Sequence, residues 1–395
     1  MTLIKIKSRG TDNVSGRRNL IMNGGMNIAQ RTSSASGIGG SNSGTYNAQD
    51  RWNFFAYGSP AARWTQSVST DVPASSTHTA SLKLDCTTAS GTVGAGHRQQ
   101  LMQVIEAQDL QHLRYGSSTA KKVTLSFWVK SSVTGKNYCW IYHNDGGRFT
   151  YKSYTVNSAN TWEHKKVTFT GDTASAITND NGAGLNIIWM LYLGTDYTSA
   201  TDGVEDTWAA WNSGNWDQFN GQVNNASSTN NNWYLTGTQL EVGDSASDFE
   251  HRSFGEELSL CHRYFYNGIT ANGTGNYGSF PINFRNFVST GNNGHIVFTI
   301  ALPKPMRTIP TFTHDLANSN HAGSGVGAAA GNWQFYHQNQ GWGSFAGNGN
   351  MNTLSRQGSS DSQVQIGTYY ISPNSTTYDQ LTIGSSRKFH FSAEL

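Results

Sequence analysis

Val123, Leu125, Phe127 and Val129 alternate with Thr124, Ser126, Trp128 and Lys130, the two-residue period of a strand with one buried and one wet face. Val167 with Phe169, and Leu240 with Val242, repeat the alternation in shorter form. From Leu185 to Leu193 only Asn186 interrupts the apolar run, which predicts a central strand covered on both faces. Further on, Ile296, Phe298, Ile300 and Leu302 alternate, and Pro303, Pro305 and Pro310 punctuate the chain. Thr368 to Ile371, Leu381 to Ile383 and Phe389 to Phe391 then supply more strands. Helical spacing appears twice. Asp109 to Leu113, ahead of Gly116, reads as one turn with an Asp cap and a Gly stop. Ser253 and Glu256 stand at capping-box spacing, with Phe254, Leu258, Cys261 and Phe265 at helical intervals, a short helix joining two β regions.

Composition supports the β reading. Charged residues make up 13% of the 395-residue chain, well below the roughly 25% of ordinary soluble proteins, and Gly, Ser, Thr and Asn, all poor in helix interiors, take their place. Disordered chains are poor in aromatics; the 12% Phe, Trp and Tyr here requires a folded core. The expected fold class is all-β: a jelly-roll β-sandwich, the short helix, and a second C-terminal β-sandwich domain.

The positive charge is concentrated at the start. Lys5, Lys7, Arg9, Arg17 and Arg18 face a single acid, Asp12, within the first 18 residues. They suggest a basic arm, with Ile4 and Ile6 alternating as in a strand that pairs with a partner's edge; a solvated tail is the other reading. No aromatics interleave these bases, so nucleic acid is not an expected partner. The opening residues lack the apolar core of a secretory signal, and no run is long enough for a membrane helix. Cys86, Cys139 and Cys261 are too few and scattered for a disulfide framework or a zinc site, and read as buried thiols.

Several phrases carry a family resemblance: Arg18-Asn-Leu-Ile-Met-Asn-Gly-Gly-Met-Asn-Ile-Ala-Gln-Arg31, Asp50-Arg-Trp52, Val123 to Ser131, Gly237-Thr-Gln-Leu-Glu-Val-Gly243, Phe249-Glu-His-Arg252, and Glu256 to Phe265. Together, over residues 18 to 266, they resemble the tail-fibre-like virion proteins of tailed bacteriophages, particularly those of marine cyanobacterial phages. The resemblance implies a carbohydrate-binding-module jelly roll, a homotrimeric fibre or appendage on the virion that attaches to host-surface glycans, and an N-terminal segment docked on other virion proteins. The domains are then an arm over 1–18, the jelly roll over 19–252, a helical joint over 253–266 and a C-terminal β domain over 267–395. A head-decoration or tail-assembly protein that binds no sugar is the alternative, and an envelope polysaccharide depolymerase the third.

Sugar recognition needs flat aromatic faces flanked by amides and hydroxyls. The densest cluster is Trp208, Trp211 and Trp216, followed by an Asn-rich run ending at Trp233; these rings either meet a ligand or cap the sandwich or a neighbouring subunit. The Gly-, Asn- and His-rich stretch from Asp315 to Ser360, near His314, offers a second set, Trp333, Tyr336 and Trp342 with His321 and His337, as a receptor tip or a trimer interface. Its length exceeds that of a plain connection. Glu205, Asp206 and Asp217 could supply the paired carboxylates of a glycosidase, but no nucleophile elbow, phosphate loop or zinc-protease spacing accompanies them, and an enzyme is not expected. Asn179-Asp180-Asn181-Gly182 reads as a turn and lacks the distal Glu of a calcium loop; His164 and His262 read as structural. No cofactor or metal is expected.

Overall fold

A computed structural model describes residues 18–268, save 41, 75, 201–202 and 213–215, and residues 302–311 and 390–395; among the other residues it describes only the backbone of the strands named below. The chain divides into two compact units, one through Cys261 and the other from His262 to Glu394. Lys5, Lys7, Arg9 and Arg17 lie outside the described residues.

The first unit is a sandwich of two antiparallel sheets. Six strands, β1 (Ser34–Ile38), β4 (Arg63–Ser69), β5 (Ser81–Thr88), β7 (Val123–Ser131), β10 (Glu163–Phe169) and β13 (Asn232–Val242), form one sheet in the order β1-β4-β5-β13-β7-β10. The other contains β2 (Gly44–Tyr46), β3 (Asn53–Tyr57), β6 (Arg98–Glu106), β8 (Gly135–His143), β9 (Arg148–Val156), β11 (Ala183–Leu193) and β12 (Ala209–Ala210), in the order β12-β9-β8-β11-β6-β3-β2. The predicted all-β jelly roll is therefore present, and β11 is the middle strand of seven. Val123, Leu125, Phe127 and Val129 all point inward with no exposure, meeting Leu101, Ile105, Leu185, Ile187 and Trp189 from the other sheet. Full burial of each such side chain stabilises by roughly 1.5–3 kcal/mol. The register of β13 slips between Thr236 and Gln239, at Gly237, whose φ of +58° an L side chain resists.

Two local expectations shift. The single turn is a 3-10 helix over Ala107–Leu113; Glu106 occupies the cap without a side-chain bond, Asp109 lies inside the first turn, and the stop is Arg114 in the left-handed region. The α-helix runs over Phe254–His262 with the Ser253 hydroxyl accepting from the Glu256 amide at 3.2 Å, yet Phe254 is 64% exposed and Leu260, with Cys261, is buried. Phe265 already belongs to a strand. All three cysteines are buried and none forms a disulfide. No helix among the described residues is long and apolar enough to cross a membrane.

The second unit contains three antiparallel sheets. β14 (Phe265–Asn267), β24 (Phe389–Ser392) and β18 (Thr311–His314) form one; β15 (Gly278–Ser279), β23 (Gln380–Ile383), β19 (Trp333–His337) and β20 (Gly341–Ser344) form the next; β16 (Val288–Thr290), β17 (Asn293–Ala301), β22 (Gln363–Tyr369) and β21 (Ser355–Ser359) form the third.

Candidate functional site

The outer face of the seven-stranded sheet carries a second hydrophobic cluster, separate from the core between the sheets. Strand pairing sets its side chains in rows. Asn53, Met102, Ile188, Trp140 and Tyr151 are successive partners across β3, β6, β11, β8 and β9. Phe55, Gln100 and Met190 make a second row, Tyr57, Arg98 and Leu193 a third, and Val104, Asn186, Tyr142 and Phe149 a fourth. At roughly 4.8 Å between strands, the five-strand row is about 19 Å long.

The segment after β11 folds back over one half of this face. Its amides bond to the sheet below: Trp211 N to Gly147 O at 2.9 Å and Asn225 N to Leu191 O at 3.1 Å. The Tyr138 hydroxyl donates to Asn220 O at 2.8 Å. Phe219 is buried among Tyr138, Trp140, Phe149 and Tyr151, with Tyr138 edge-on at 5.4 Å. The ring of Trp211 lies 4.8 Å from that of Trp140 and edge-on to Phe149 at 5.1 Å, and Trp216 leans on Trp211 at 5.9 Å. Beyond this cover, Phe55, Met102, Tyr142, Asn186, Trp211 and Trp216 are half-buried and Tyr57 is 44% exposed. A partly open aromatic floor flanked by amides results.

The predicted tryptophans thus separate. Trp211 and Trp216 lie on this face. Trp208 is half-buried against the sandwich core; its indole N–H donates to Thr170 O at 2.8 Å, and its ring meets Tyr115 edge-on at 5.7 Å. Trp233 is wholly buried between the sheets, where neither face of its ring is open. Trp333 and Tyr336 lie in β19 and Trp342 in β20, with Tyr336 opposite Trp342, so part of the stretch read as a long loop is a hairpin; their side chains lie outside the described residues. Arg18 is fastened to the sandwich rather than free in an arm: its guanidinium donates to Asp248 O at 2.6 Å and lies 3.6 Å from Glu241.

The carboxylates near the tryptophans are engaged in hydrogen bonds, two of them with backbone amides. Glu205 accepts from Ser153 N at 3.1 Å, Asp206 from Thr170 N at 2.8 Å, and Asp217 from the Ser199 hydroxyl at 3.3 Å. Asp180 accepts from Gly182 N at 2.8 Å, closing the predicted turn. His164 stacks on Trp128 at 4.9 Å.

Arg98, Phe55, Tyr57, Trp140 and Tyr142 escaped the sequence reading. The signal was the alternation Phe55-x-Tyr57 and Arg98-x-Gln100-x-Met102, legible as strands but not as one surface, because the pairing of β3 with β6 joins residues more than forty positions apart.

No family model matches the chain, and no curated protein is significantly similar to it. Among solved structures it is similar to the enzymatically active domain of bacteriophage CBA120 tailspike protein 4, at 12% identity and a TM-score of 0.28, covering 57% of this chain and 22% of that one. It is similar also to the family 11 carbohydrate-binding module of a cellulosomal cellulase from Clostridium thermocellum, at 10% identity and 0.26, covering 56% and 100% of the two chains. A third is the CBM61 solved with β-1,4-galactotriose, at 10% identity and 0.28, covering 57% and 100%.

Proposed function

We propose that the jelly roll binds host-surface glycans on the outer face of its seven-stranded sheet, within a non-enzymatic, homotrimeric tail fibre or appendage of a phage virion. The observation that carries this reading is the aromatic floor: Tyr57, Phe55, Tyr142 and Trp211 keep accessible ring surface beside the half-buried amide of Asn186, the pairing of flat faces and hydrogen-bonding groups that a pyranose requires. The phrases resembling tail-fibre-like proteins support the virion setting. Glu205 and Asp206 tether backbone amides and Asp217 accepts from the Ser199 hydroxyl, which supports binding without cleavage. Three weak sites on one trimer would gain avidity without tight single contacts.

The test is a glycan array and host-cell adsorption with the full chain. Tyr57→Ala and Trp211→Ala should each weaken retention about tenfold, the equivalent of roughly 1.4 kcal/mol of ring contact. Absence of glycan binding, or natively folded variants that bind as well as wild type, would overturn the reading. A single-chain mass in solution would remove the trimer.

A further inference from the structure

Arg98 stands at the open edge of the aromatic floor with a ring on every side. Its guanidinium carbon is 5.1 Å from the ring centre of Tyr57, 5.3 Å from Trp211, 5.4 Å from Tyr197 and 5.5 Å from Phe55. Rings can offset part of the cost of desolvating a cation, but they accept no in-plane hydrogen bond. Nε of Arg98 is buried with no hydrogen-bond partner, and among the described residues no carboxylate pairs with the side chain. The Nε atoms of Arg51 and Arg252 also lack a hydrogen-bond partner, but these and other arginines of the sandwich donate to carbonyl or carboxylate oxygens: Arg51 to Val104 O, Arg63 to Pro60 O, Arg148 to Asp172 and Arg252 to Ile21 O. Burial disfavours the charge on Arg98, and only the phenols of Tyr197 and Tyr57 oppose that.

We propose that Arg98 receives an anionic substituent, a carboxylate or a sulfate, of the glycan held on this face, an inference that rests on the glycan-binding reading above. A planar guanidinium that no carboxylate neutralises, held among rings and met only by the Tyr197 hydroxyl, suits fork-like recognition of such a group, and the rings fix its orientation in advance.

Affinity electrophoresis of the full chain would use polygalacturonate against its methyl ester, and dextran sulfate against dextran, the two arms separating carboxylate from sulfate. Wild type should prefer at least one acidic polymer to its neutral counterpart by about tenfold or more. That ratio should collapse in Arg98→Gln, and Arg98→Lys, which keeps the charge without the fork, should retain only part of it; thermal melts check that both fold. Equal affinity for each acidic polymer and its neutral counterpart would overturn the inference and leave glycan binding standing, as would an unchanged ratio in folded Arg98→Gln. Failure to bind any of these polymers or any arrayed glycan would overturn both.

Discussion

Nδ1 of His143 lies 3.0 Å from a carboxylate oxygen of Asp172, and both side chains are buried. The same carboxylate accepts from Arg148 Nε at 3.1 Å and from Ala174 N at 3.0 Å, while Arg148 also donates to Trp208 O at 2.9 Å. Two loops and the start of β9 therefore meet at one buried charge, and Trp208 takes its place as part of that closure. Removing the centre takes the carboxylate away from both the Arg148 guanidinium and the buried His143 ring. Asp172→Ala is expected to cost about 3–5 kcal/mol, measured by urea denaturation; a loss below about 1 kcal/mol would mean that the cluster contributes little.

Trp233 and Tyr57 test how the aromatics divide between core and surface. Trp233→Ala should destabilise by about 3–5 kcal/mol, because a fully buried indole leaves a cavity. Tyr57→Ala should leave the unfolding midpoint almost unchanged, at about 0.5 kcal/mol or less, since its ring is already 44% exposed. Unfolding curves decide this independently of any ligand. Equal losses would show that Tyr57 is a packing residue.

A histidine sets an acid limit. Burial depresses His78 to about 4, and the nearby charges of His251 and His164 push the same way. The unfolded chain therefore takes up this proton first, near pH 6.5, so stability falls as pH drops from about 6.5 to about 4 and the penalty is complete below that. The ring is partly exposed, and solvent screening trims the effect to about 1–2 kcal/mol. Asp71, Glu163 and Glu250 also titrate below the ordinary carboxylate value: desolvation opposes this, and hydrogen bonds outweigh it. They act alike in wild type and variant. His78→Gln should thus lose about 1–2 kcal/mol less between pH 7 and pH 4 than wild type, read from paired urea titrations. Identical pH dependence would place the acid sensitivity elsewhere.

Elements with a strong period were legible in the sequence. β7 spans Val123 to Ser131 as the alternation predicts, and β11 is central because its apolar run leaves no wet face. The site was legible only in part, since its chemistry is built across strands. Trp211 and Trp233 sit in similar Asn-rich surroundings in the sequence, yet one ring ends on the outer face and the other between the sheets. The difference is set by the pairing of β13 with β5 and β7, which no local pattern reveals. The role of Arg98 is visible only once strand pairing places Tyr57 opposite it and the segment after β11 brings Tyr197 and Trp211 over it.

The phrases that carry the family resemblance converge in space. Asn19 bonds through its side chain to Thr238 O and Leu240 N, at 3.1 Å each; Glu250 accepts the amides of Arg18 and Asn19; and Trp52 donates to Asn23 O at 3.1 Å. Arg252 reaches both Asn19 O and Ile21 O. These phrases lash the first described segment to β13, which makes them scaffold. Gly24 is the tightest point, where an added Cβ would sit 2.1 Å from the Thr238 carbonyl oxygen. Neither backbone can yield cheaply, because the Thr238 amide donates to Gly24 O at 3.0 Å. Gly24→Ala should therefore destabilise by about 1–3 kcal/mol, whereas Gly91→Ala, with open space around the new methyl, should be neutral or slightly stabilising. Thermal melts of the two variants side by side would decide. A Gly24 variant as stable as the Gly91 variant would show that the lashing is looser than the hydrogen bonds indicate.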